Sequence, residues 1–250
     1  MTVGQPPGAL PLLLIAGLVL TGSAAFVVLQ QPVPVPAFAE MSVEHKKHAF
    51  FDYLRPHVLA ANADVLAERR RIGELKVAMA RHPDGAPGWW DRRYLTGVAE
   101  RFDFELDPHD LQASLDALLL RVDIVPASLV LIQAAKESGW GTSRFAREGY
   151  NFFGQQCFEP GCGFTPLRRD PGKTHEVARF GSPSQAVRAY LHNLNTHYRY
   201  AEFRRLREAA RHDGVPLQGT ALAAGLGAYS ERGDAYVLEV VAMIRQNGLE

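Results

Sequence analysis

Residues 125–154 read VPASLVLIQAAKESGWGTSRFAREGYNFFG, and this stretch decides the fold. Pro126 suits a helix start, because its missing N–H is one that a first turn leaves unpaired anyway. Ala127 to Lys136 (ASLVLIQAAK) is apolar on almost every side, so the helix it predicts has to be buried, and Gly139 ends it. Glu137 rides on the last turn, followed by Ser138-Gly139-Trp140-Gly141. A carboxyl group carried by a buried helix beside an indole loses hydration, which disfavours its charged form and raises its pKa. A raised pKa is what a general acid needs to stay protonated near neutral pH and donate to a glycosidic oxygen. Glycines 139 and 141 would leave backbone room for a polymer chain to pass close by. A lone Glu at a helix end is ordinarily a solvated charge. The apolar helix behind this one sets it apart.

Outward from that helix the pattern stays helical. Ser42 to about Arg81 carries Ala49, Phe50, Tyr53 and Leu54 at helix spacing, with a break or kink expected at Pro56. Arg69-Arg70-Arg71 reads as a solvated face. Tyr94–Phe104 and Leu111–Val122 follow as two more helices, with Trp89-Trp90 as a core anchor at a helix start or, less simply, the lining of a sugar site. Asn151 to Phe180 changes character: it is rich in Gly, Pro and aromatic residues, and Pro171-Gly172 separates Phe164–Asp170 from Lys173–Phe180 as in a hairpin. Helical signal returns in 183–197, 203–211, 218–226 and 235–246. The fold class is mainly α, with one small β insertion.

The chain has 250 residues, with 27 Lys and Arg balancing 27 Asp and Glu. No cationic excess is available to neutralise phosphates, so no nucleic-acid partner is expected. At 47% hydrophobic and 22% charged, the composition excludes wholesale disorder and a multi-span membrane protein. No charged side chain precedes Glu40, and Ala9 to Leu29 is a predominantly apolar run. As a helix that run would cover about 30 Å, the thickness of a bilayer core. Residues 1–30 are therefore expected to be a single-pass inner-membrane anchor. The alternative is a secretory signal cleaved at Ala37-Phe38-Ala39, which would release the chain to the periplasm. Residues 31–41 form a Pro-rich linker (QQPVPVPAFA from Gln30), 42–123 a helical part, and 124–250 the part that carries the chemistry.

Cys157 and Cys162 bracket Phe-Glu-Pro-Gly, and the expected state is a short disulfide loop in an oxidising compartment, with free thiols or two ligands of a metal as the alternatives. With His175 they follow most of a zinc-finger spacing, but Arg179, Phe180 and Gly181 occupy the place of a second His. No metal and no cofactor are expected.

Gln133-Ala134-Ala135, Glu137-Ser138-Gly139-Trp140-Gly141, Ser143-Arg144-Phe145 and Asn151-Phe152-Phe153-Gly154 together resemble the endo-β-N-acetylglucosaminidases of glycoside hydrolase family 73, in their Bax-like branch. The likeness continues through Thr174–Phe180 and Ala189–His197, which contains Tyr190, Asn193 and Asn195, and through Ala228-Tyr229-Ser230 with Tyr236 downstream. The resemblance implies a lysozyme-like α+β fold whose small β-hairpin lobe flanks a cleft, and peptidoglycan glycan strands as substrate. It implies catalytic roles for Glu137 and Tyr229, and a sugar-facing set of Trp140, Asn151, Phe152, Tyr190, Asn193 and Asn195. Ala228 and Ser230 depart from the family's segment, and Lys136 beside the acid is atypical.

Glycoside hydrolysis usually needs a second carboxylate. Glu176, in the better-matched motif, is preferred to Glu159 and Asp170. If none serves, the acetamido group of the substrate can act instead. A muramidase or lytic transglycosylase of the same fold, and a non-catalytic wall-binding protein, are the competing readings.

Overall fold

The computed structural model describes residues 34–81, 86–166, 172 and 174–250. The expected anchor at 1–30 lies outside the described residues, as do Asp170 and the start of the linker. Among the described residues no helix is long and apolar enough to cross a membrane.

Val35–Glu250 forms one unit built around two apolar cores. Helix α1 (Val43–Arg81) runs through both and contains Pro56 in its interior, so the expected break does not end it. Its first half buries Phe50, Leu54 and Val58 against α4 (Ala127–Ser138) and α6 (Pro183–Thr196). Its second half buries Ile72, Leu75 and Met79 with α2 (Trp89–Arg101) and α3 (Leu111–Arg121).

Helix α4 is the centre of the larger core. Leu129 to Ala135 are without exception fully buried, as a run apolar on all faces requires. It packs against α1, α8 (Gly219–Leu222) and α9 (Asp234–Gln246). The expected helix over 218–226 is shorter, passing after Leu222 into a 3₁₀ segment, Ala223–Tyr229. That segment lies close against α7 (Ala201–His212): a Cβ on Gly225 would stand 2.4 Å from the Cα of Phe203.

The entry into α4 is fixed by polar groups. Arg207 of α7 is 1% exposed and donates to the carbonyls of Leu120 (2.8 Å), Asp123 (3.1 Å) and Ile124 (3.0 Å) and to Asn195 Oδ1 (2.7 Å). Asp123, buried beside it, accepts two bonds from Arg211 at 2.9 and 3.1 Å. Arg69 reaches in from α1 to the carbonyls of Leu119 (2.5 Å) and Val122 (3.0 Å) and to within 3.6 Å of Asp123. The arginine run is therefore only partly the solvated face expected: Arg69 is half-buried, while Arg70 and Arg71 are exposed. Asn62 closes the set, donating to the Val125 carbonyl at 2.8 Å and accepting its N–H at 3.1 Å.

The β lobe follows α5 (Arg144–Gly149). Strands β1 (Gln156–Cys157), β2 (Gly163–Phe164) and β3 (Glu176–Ala178) form an antiparallel sheet in the order β1-β3-β2. The register places Gly163 opposite Ala178 and Phe164 opposite Val177. The β2–β3 pair is the expected hairpin, and β1 adds a strand that the sequence reading left out.

Two readings are corrected. Trp89 and Trp90 are 64% and 76% exposed, so they anchor no core; α2 turns Leu95, Val98 and Ala99 inward instead. Gly141 makes room for protein, not polymer. Its φ is +75°, and a Cβ there would stand 2.5 Å from the Phe38 ring.

Arg207→Leu should lower unfolding stability by about 3 kcal/mol, since it removes the donor to the Leu120 and Ile124 carbonyls and to Asn195 Oδ1, and one of the cations beside buried Asp123. Urea unfolding followed by circular dichroism measures the loss.

Candidate active site

Glu137 projects from the last turn of α4, which Gly139 stops in a left-handed conformation (φ +59°). The side chain borders a cavity of about 610 Å³ also lined by Gln155, Phe158, Asn193, His197, Tyr200 and Tyr229. Helix α4 and the Phe153–Gln156 turn form one side. The end of α6 and the 3₁₀ segments Tyr198–Tyr200 and Ala223–Tyr229 form the other.

Behind the carboxyl group lies a directed chain of hydrogen bonds. The Tyr190 hydroxyl donates to Gln133 Oε1, and Gln133 Nε2 donates to the Tyr236 hydroxyl at 2.9 Å. Tyr236 in turn donates to Glu137 Oε1 at 3.1 Å. Gln133 and Tyr190 are fully buried, so each must be paired, and pairing gives the chain one sense. Tyr229 stacks on Tyr236 with centroids 5.5 Å apart and planes 14° apart. Its hydroxyl donates to the Phe153 carbonyl at 3.1 Å and so clamps the loop before β1.

Glu137 is exposed on the cavity side, and part of its carboxyl group is covered by protein. Desolvation raises its pKa above the ordinary 4.5. The Tyr236 hydrogen bond and the Lys136 charge pull it down, and Glu239 pushes it up. Lys136 is itself held at 2.6 Å by Glu239, which also pairs with Arg232 at 2.8 Å. The ammonium group lies 5.5 Å from the centre of the Tyr236 ring.

The other residues singled out from the sequence divide. Asn193 and Tyr229 line the cavity with Glu137. Trp140 packs edge-on against Phe50 and Phe51 under the Lys47 ammonium and does not line it. Phe152 is fully buried against Phe50 and Tyr53. Tyr190 is interior and acts through Gln133. Asn195 is interior too, donating to the Asp123 carbonyl at 3.0 Å and accepting from Arg207. Asn151 ties the lobe to the helices: its Nδ2 donates to the carbonyls of Gln155 (2.8 Å) and Ala178 (2.9 Å), and its Oδ1 accepts from the amides of Phe153 and Gln155.

Cys157 and Cys162 are joined in a disulfide, with Cα atoms 6.2 Å apart. Glu176 turns its carboxylate to this loop, accepting from the amides of Gly161 (3.0 Å) and Gly163 (2.8 Å). It does not line the cavity. Cys157, Cys162 and Glu176 are also the group of potential metal ligands found among the described residues. With the two sulfurs bonded to each other, that group lacks the thiolates a zinc site would use. Glu159 is exposed and likewise outside the cavity lining.

Sequence reasoning passed over Tyr200 and Gln155, and it read His197 as a capping or core histidine, whereas His197 lines the cavity. The aromatic cluster His197-Tyr198-Arg199-Tyr200 after α6 was the available signal.

The class of protein is now defined: residues 114–249 match the glucosaminidase family model, described as mannosyl-glycoprotein endo-beta-N-acetylglucosaminidase. The chain belongs to this family of glycoside hydrolases, family 73, in its Bax-like branch. It is 33% identical to Protein bax of Escherichia coli (strain K12) over 202 residues, covering 81% of this chain and 70% of that protein. No solved structure matches.

Lys136→Met should raise the Glu137 pKa, because a neighbouring positive charge that favours the carboxylate is removed. Tyr236→Phe should raise it too, by removing a bond to the charged form. Glu239→Gln should lower it. Carboxyl-carbon NMR titration of each variant reads the three directions.

Proposed function

We propose that the chain is a peptidoglycan hydrolase, an endo-β-N-acetylglucosaminidase that cuts the GlcNAc-β-1,4-MurNAc bond with Glu137 as general acid. The observation that carries the reading is the Glu137 carboxyl at the cavity wall, oriented by Tyr236 and held partly out of water. The carboxyl proton passes to the glycosidic oxygen as the bond from that oxygen to C1 of GlcNAc breaks. Among the described residues Glu137 is the only carboxylate lining the cavity. The carbonyl oxygen of the substrate's own 2-acetamido group is therefore the best-placed nucleophile for C1. It forms a cyclic oxazolinium ion. Water then adds at C1 while the Glu137 carboxylate takes its proton, which restores the acid and retains the anomeric configuration. Asn193, His197 and Tyr200 supply the polar side chains that would orient the acetamido group.

On this reading Glu176 supports the reaction by fixing the disulfide loop that carries Phe158 into the cavity wall. The apolar N-terminal run would hold the enzyme at the inner membrane with this domain in the periplasm, an oxidising compartment in which the disulfide persists.

Glu137→Gln should reduce hydrolysis of purified sacculi by at least ~10²-fold, the loss expected of an essential acid. The same variant should be no less stable at pH 7. A carboxyl whose folded pKa is raised disfavours the native state at pH values above its unfolded pKa, and Gln removes that ionisation. Glu176→Gln should retain far more turnover than Glu137→Gln. Mass spectrometry of borohydride-reduced products should find reduced GlcNAc at the new ends; anhydro-MurNAc would mean a transglycosylase, and no products from the parent chain would leave a wall-binding protein.

A further inference from the structure

Helix α2 opens with two indoles in water. Trp89 and Trp90 are 64% and 76% exposed, their ring centres lie 4.3 Å apart, and their planes meet at 80°. Together the rings form an open corner, at the cost of keeping a large apolar surface wet. Trp89 continues into a groove of about 450 Å³ along one stripe of the helix, lined by Arg92, Arg93, Thr96, Gly97 and Glu100. Arg92 and Arg93 are exposed and have no acidic partner among the described residues, whereas nearby Arg71 is paired with Asp91 at 2.9 Å. None of these groups borders the Glu137 cavity.

We propose that this corner and groove are a second, non-catalytic glycan-binding site, which takes a stretch of N-acetylated glycan strand bearing carboxylates. The inference rests on the proposed function for the identity of that polymer. An indole face offers a flat apolar surface to the C–H face of a pyranose, and the second indole walls the sugar in. Thr96 and Glu100 provide a hydroxyl and a carboxylate for sugar hydroxyl and amide groups. The two guanidinium groups suit the carboxylates of lactyl and stem-peptide groups, to which Arg binds through paired N–H donors. A bilayer surface would also take Trp and Arg, but Thr96 and Glu100 line the groove itself, where sugar hydroxyl and amide groups can hydrogen-bond to them and acyl chains cannot. A second point of attachment on the same polymer would keep the enzyme on one strand between cuts.

The test uses the full chain carrying Glu137→Gln, held in neutral detergent, so that the polymer stays intact. W89A/W90A should bind purified sacculi about tenfold more weakly in co-sedimentation, roughly the loss of stacking contacts, with the circular-dichroism spectrum unchanged. W89F/W90F, which keeps two aromatic faces, should recover most of the affinity, and it serves as the comparison if the alanine pair folds poorly. Indole emission should move to the blue when soluble peptidoglycan fragments are added, and this shift should be absent from W89F/W90F. Equal affinity of the parent and the alanine pair overturns the proposal. So does a blue shift produced by phosphatidylglycerol micelles but not by fragments, which assigns the corner to a lipid surface. Failure of the hydrolytic reading would show separately, as absence of cleavage by the chain with Glu137 intact, while the binding comparison would still decide the site.

Discussion

The structure depends on one constraint: a helix buried on every face must still deliver a carboxyl group to water at one end. A purely apolar helix has no preferred rotation in an apolar core, because the hydrophobic effect is non-directional. Gln133 supplies the direction. Buried on α4 itself, it must find partners for both ends of its amide, and Tyr190 from α6 and Tyr236 from α9 provide them. That bonding sets the helix rotation. It also leaves the Tyr236 hydrogen with one acceptor in reach, Glu137. The interaction that locks the core thus also orients the Glu137 carboxyl group.

The other end of α4 is held by the Asp123–Arg207 cluster, which draws α1, α3, α6 and α7 to the three residues before the helix. Buried ion pairs contribute little net stability, since desolvation offsets much of the attraction. Their value here is positional. Arg207 donates to backbone carbonyls at the end of α3 and in the connection that follows it, where helix bonding has run out. With both ends of α4 fixed by directional bonds, the cavity wall can consist of loops and 3₁₀ turns without losing its geometry.

The β lobe is attached in the same manner. Asn151 uses all its amide capacity on the backbone of the lobe, and Glu176 uses both carboxylate oxygens on the disulfide loop. These are polar residues in a motif associated with sugar hydrolysis, yet their partners are protein amides and carbonyls. A short three-stranded sheet is too small to be stable alone, so side chains from its own loops take up the hydrogen bonds that a larger sheet would make.

The sequence by itself determined most of the helices and singled out Glu137. The apolar run of α4, its glycine stop, the helical periods on either side and the Gly- and Pro-rich change of character after Asn151 are local properties, governed by propensity and by burial of one chain segment at a time. Glu137 was legible because its unusual feature, a carboxyl on a wholly apolar helix, also lies within a few residues. Only the tertiary structure decided which polar residues face the cavity. Asn193 and Asn195 sit two residues apart on α6, and one lines the cavity while the other is bonded inside the core to Asp123 and Arg207. Tyr190 lies in the better-matched motif, yet it is interior, whereas Tyr229, in the segment that departs from the family, borders the cavity. A side chain's partner is set by groups that arrive from distant parts of the chain: Arg207 lies 84 residues from Asp123, and Tyr236 lies 99 from Glu137. No local pattern encodes that meeting. Exposure of Trp89 and Trp90 has the same origin, because an indole is buried only if another element comes to cover it, and here none of the described ones does.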